Sequence, residues 1–114
     1  MGFILSQSAT YTWPVEIKLP ADGGQFTKHT FDAEFARLSQ SEVEKTVAAI
    51  TDGTFSDRDT CKMLLKGWRG ITDTDKSDIP FSPSTLEQVV EIPTVAMSII
   101  KSWMESLSGA RVKN

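Results

Sequence analysis

The chain of 114 residues holds one cysteine and one histidine. A lone cysteine excludes an internal disulfide and any zinc site built from several thiolates. A lone histidine removes the acid–base and metal chemistry that needs two imidazoles. Positive charge is also scarce: 12 Lys and Arg against 15 Asp and Glu leave a net charge of −3, the wrong sign for bulk phosphate binding, so no nucleic acid partner is expected. No apolar run approaches the ~20 residues of a membrane span. Residues 1–6 lack the basic n-region of a signal peptide. Gly2 with Ser6 fits the short M-G-x-x-x-[ST] acylation pattern, but no polybasic second anchor stands nearby. The expectation is a cytoplasmic protein with no membrane partner and with Cys61 as a reduced thiol.

Catalytic signatures are missing as well. There is no G-x-S-x-G elbow, no P-loop and no G-x-G-x-x-G; Gly23-Gly24 lies in a hairpin turn, not between a strand and a helix. Asp73-x-Asp75-x-Ser77 begins like a calcium loop, yet Asp78 replaces the glycine at position 6 and Ser84 the glutamate at position 12. A solvated acidic loop is the better reading. Cys61 shares an apolar stripe with Leu64 and Trp68, which makes it a buried structural thiol and not a nucleophile. His29, on a strand face with Phe31 and Phe35, is expected at the rim of a sheet. No catalytic residue, cofactor or metal ligand is assigned, and no enzyme activity is expected.

What is present is ordinary globular material: 39% hydrophobic and 24% charged residues, with 7 Gly and 5 Pro, enough for one domain over residues 1–114 with its own core. Tyr11, Trp13, Val15, Ile17 and Leu19 alternate with polar residues, which predicts a strand, and Pro14 puts its first part at a sheet edge. Residues 20–24, with Gly23 and Gly24, form the turn. Alternation returns through Thr27, His29, Phe31, Ala33 and Phe35, so residues 10–38 are expected as an antiparallel hairpin region.

Residues 41–108 are predicted to be helical. Ser41 with Glu44 offers a capping box for a helix bearing Val43, Val47 and Ile50, ended by Asp52-Gly53. Ser56 with Asp59 starts a second, whose stripe runs through Cys61, Leu64, Leu65 and Trp68. Residues 69–81 form a polar loop with room for a short strand pair. Ser82-Pro83 starts a third helix with Leu86, Val89 and Val90. A fourth runs from about Pro93 to Leu107 and stops at Ser108-Gly109. Residues 109–114 are a frayed tail. The fold class is α+β: an N-terminal antiparallel β-hairpin packed on a C-terminal bundle of about four helices.

The fourth helix carries the candidate site. Val95, Ala96, Met97, Ile99, Ile100, Trp103, Met104 and Leu107 sweep an arc of roughly 200°, wider than the ≳100° stripe one core needs. Either the helix is central and buried on two sides, or one margin meets a partner. Met97 and Met104, one heptad apart, suit the second reading because thioethers repack against varied surfaces. Val95, Met97, Ile99, Ile100, Trp103 and Met104 are therefore the candidate partner-binding residues. The hairpin edge is a second candidate, since an open edge accepts a strand, whereas Glu16, Lys18 and Lys28 there would discourage one.

Several segments, in order, carry a family resemblance: residues 10–15 (TYTWPV), 19–24 (LPADGG), 31–35 (FDAEF), 65–71 (LKGWRGI), 80–82 (PFS) and 105–110 (ESLSGA), with the Lys113-Asn114 end. Through them the chain resembles the tail assembly chaperones of long-tailed bacteriophages and prophages. The resemblance implies a non-catalytic protein that binds the tape-measure protein in the host cytoplasm, recruits tail-tube protein, and is absent from the mature virion. It also implies a third partner, a longer form of the chain itself made by frameshifting, this chain being similar to the shorter product. It carries no site residue over. The alternative is a structural virion component, a small tail-tube or tail-completion subunit.

Overall fold

The two alternating segments pair as expected. In the computed structural model, which describes residues 2–109, β1 (Thr10–Ala21) and β2 (Gln25–Ala36) run antiparallel from Thr10 opposite Ala36 to Ala21 opposite Gln25. Gly23 and Gly24 turn the chain at φ 77° and 75°, values that side chains with a Cβ resist. Val15, Ile17, Phe31, Ala33 and Phe35 point into the core. The Arg37 N–H donates to the Ala9 carbonyl at 2.9 Å, which fixes the phase of the ladder. Odd-numbered residues of β1 bond to β2, and even-numbered ones, Pro14 included, turn their backbone outward. Pro14 thus sits on an edge strand where its missing N–H costs no ladder bond.

A third strand, β3 (Leu65–Arg69), completes the sheet in the order β1-β2-β3. It extends the expected hairpin by one strand, and it corrects the helix expected to continue to Trp68. The second helix, α2 (Asp57–Leu64), ends at Leu64, and the chain goes straight into the strand. Glu34 faces Gly67 but Phe35 faces Leu65, so Lys66 is the extra residue of a bulge. The bulge lets Leu65 and Trp68, three apart, share a face, which in a regular strand they would not. A helix stripe at i, i+3, i+4 and i+7 and a short helix followed by a bulged strand therefore look alike in sequence. Gly67 fits because a Cβ there would stand 2.5 Å from Glu34 Oε1.

The remaining helices are α1 (Gln40–Thr51), α3 (Pro83–Glu91) and α4 (Val95–Ser108). The first is capped two residues earlier than predicted: Ser39, not Ser41, closes the box with Glu42, whose side chain accepts the Ser39 N–H at 2.9 Å. That bond to the Ser39 backbone, with the Ser39 hydroxyl behind it, holds the Glu42 carboxyl below its ordinary range. Ser39→Ala should cost about 1 kcal/mol, read as a lower urea midpoint at unchanged slope, while Ser41→Ala should stay within about 0.5 kcal/mol of the wild type. Ser56 and Ser82 cap α2 and α3 as expected, and Pro83 opens α3. The loop after β3 holds one isolated bridge, Thr72 to Asp78, and is pinned to the sheet by Trp68 Nε1 donating to the Ile79 carbonyl at 2.8 Å. Of the expected tail, residues 109–114, Gly109 caps α4 and residues 110–114 lie outside the described residues.

Candidate functional site

The last helix is placed by an unusual start. Pro93 stays outside it, and Thr94 takes the cap position at φ 75°, a strained conformation for a β-branched residue. Thr94 is tied down from two sides. Its hydroxyl donates to the Lys18 carbonyl on the outer edge of β1 at 3.4 Å, and its own carbonyl accepts the Ser98 N–H at 3.0 Å. Gly109, at φ 71°, closes the other end. Tyr11 and Ser106 join their hydroxyls at 2.7 Å, so β1 holds α4 near its C-terminus too. The edge expected as a possible strand acceptor is thus closed in part: Pro14 has no N–H to offer, and Thr94 takes up the Lys18 carbonyl.

Held this way, α4 divides the six candidate residues. Val95, Ile99, Ile100 and Trp103 are buried, between 0% and 7% exposed, and belong to the common core with Val15, Phe35, Cys61 and Leu64. They do not form a docking surface; this corrects the assignment of all six to a partner. Met97 and Met104 are the ones that reach solvent, at 63% and 37% exposure, and Leu107 joins them at 47%. The wide apolar arc is therefore two things: a buried side that the domain requires and an open margin that it does not.

The margin has two flanks. At the C-terminal end Leu107 leads into a groove of about 210 Å³ also lined by Tyr11, Trp13, Leu38, Val43 and Trp103. Along the other side, between α4 and the edge of β1, runs a larger groove of about 480 Å³ whose charged residues are Glu16, Lys18, Lys28, Lys101 and Glu105. Lys18 and Lys28 are directly opposed across the hairpin, and Glu16 relieves that repulsion by meeting Lys28 at 3.3 Å. Sequence patterning did not single out Lys101, which stands exposed between the two methionines, nor Phe3, Ile4 and Leu5, exposed at 71% to 88% ahead of β1. Three adjacent apolar residues outside any predicted element were the available signal for the latter.

Other candidates fall where the chemistry placed them. Cys61 is fully buried, its Sγ 3.4 Å from the Ala96 carbonyl, and burial, with the Asp57 charge adding to it, pushes its thiol up to about 12. His29 lies exposed on the hairpin with Nε2 2.8 Å from the Thr27 hydroxyl. Asp75 accepts the Ser77 N–H at 3.0 Å, which holds its carboxyl below the ordinary range and spends it on loop structure. Among the described residues no group of three or more His, Cys, Asp or Glu is placed to hold a metal ion, and no helix is long and apolar enough to cross a membrane. Comparison with protein-family models, with curated proteins and with solved structures gives no match to this chain.

Proposed function

We propose that the chain is a tail assembly chaperone of a long-tailed bacteriophage or prophage. In this reading it is non-catalytic, binds the tape-measure protein in the host cytoplasm, keeps it soluble and brings tail-tube subunits to it. The observation that carries the reading is the open margin of α4: Met97, Met104 and Leu107 remain exposed on a helix whose opposite side already completes the core. A long helical client offers extended apolar surface, and methionines suit it because they adapt to varied side chains. The family resemblance supplies the identity of that client.

Met97→Asp combined with Met104→Asp tests it. Both positions are exposed, so the double variant should keep its circular dichroism spectrum and melt within a few degrees of the wild type. Its capture of tape-measure fragments should fall at least about ten-fold, since two carboxylates would be desolvated in the contact. A folded double variant that still co-purifies with the fragments would remove the proposal for this face. Mass spectrometry of purified particles separates the two phage readings: a chaperone is missing from them, whereas a tail-tube or tail-completion subunit is present.

A further inference from the structure

Met97, Lys101, Met104 and Ser108 stand at i, i+4, i+7 and i+11 along α4, the spacing of a heptad seam, and all four are exposed. The seam is not uniformly apolar. Lys101 sits between the two methionines and makes no ion pair among the described residues. The groove on its polar side sets three lysines against two glutamates, with Glu16 engaged by Lys28, on a chain whose net charge is −3. The groove thus carries one net positive charge beside the apolar margin of a protein that is acidic as a whole, with Glu105 one turn beyond Lys101.

The geometry points to one kind of occupant: an amphipathic helix of the client, with apolar residues a heptad apart over Met97 and Met104 and an aspartate or glutamate between them facing Lys101. This rests on the chaperone reading above and adds the chemistry of the segment held. A second copy of the chain fits less well. Met97, Met104 and Leu107 are three exposed apolar side chains, far short of the roughly 20–30 residues a side of a stable dimer interface. So small a contact suits many weak engagements along one long client, where linkage multiplies the affinity of each.

Two synthetic helical peptides of three heptads test the pairing, identical except for Glu or Lys between two central leucines. Fluorescence anisotropy at low salt should show the wild type binding the Glu peptide about ten-fold more tightly than the Lys peptide, and Lys101→Glu should invert the order. The preference should shrink as salt is added. Equal binding of both peptides, no binding of either, or a preference that survives Lys101→Glu would overturn the inference. Capture of tape-measure fragments by the same preparations keeps the two ideas apart. If fragments are held while the peptides are not distinguished, only the acidic-helix inference falls. If the peptides are distinguished while fragments are not held, the seam stands and the chaperone reading falls.

Discussion

Trp103→Ala is expected to cost about 3–5 kcal/mol, the range for truncating a fully buried aromatic side chain. Trp103 is 1% exposed and belongs to the cluster that joins α4 to the sheet and to α2. Domains of this size have about 5–15 kcal/mol of total stability. The variant should therefore lose much of its denaturation midpoint, and its melting temperature should drop by more than about 10 °C. Met97→Ala, six residues away on the same helix but 63% exposed, should change stability by no more than about 0.5 kcal/mol. Urea denaturation of the pair measures how α4 is divided. Similar losses in both would mean that the margin belongs to the core and is not free for a client.

The second large effect is alkaline. The Cys61 thiol is pushed up to about 12 by burial first and by the Asp57 charge second, while an unfolded chain releases that proton near 8.5–9. Below the unfolded value both states hold the proton, and stability is independent of it. Above it the unfolded state binds fewer protons than the folded one, so stability falls as pH rises, by up to about 1.4 kcal/mol per unit until the folded value is reached. Across that window the loss approaches about 4 kcal/mol. Other groups titrate in the same range, so the informative quantity is the difference from Cys61→Ala. That variant should begin less stable, because a buried atom is gone, and should lose stability less steeply between pH 9 and pH 11. Parallel slopes would show that the thiol is not held protonated by the fold. A thiol reagent gives a second reading: native Cys61 should react only as fast as the chain opens.

The fold was legible where one period governed a segment. Tyr11 to Leu19 and Thr27 to Phe35 alternate without interruption, Ser56 with Asp59 and Ser82 with Pro83 each mark a helix start, and Gly109 stops α4. Leu65 to Arg69 was not legible, because a bulge at Lys66 disguises a strand as the last turn of a helix. Pairing with β2 decides the matter, and that is a long-range contact which local pattern does not encode. The Ser39 cap was missed for a related reason: Ser39 and Ser41 each have a glutamate three residues on, and only the chain's exit from β2 selects between them. At the candidate site, sequence located the helix and its surplus of apolar residues but not their division. Which of them face β1, α2 and α3 depends on the rotation of α4, set in part by Thr94 on Lys18 and Ser106 on Tyr11.

The role proposed for the open margin of α4 is to hold a tape-measure protein during tail assembly. It is tested by the soluble fraction of tape-measure protein expressed alone, with this chain, and with the Met97→Asp, Met104→Asp variant. The wild-type chain is expected to move most of the client into the soluble fraction and to elute with it, whereas the variant, though folded, should leave the client insoluble. A client equally insoluble with and without the wild-type chain would contradict the chaperone reading. A client equally soluble with either form would contradict the role of α4.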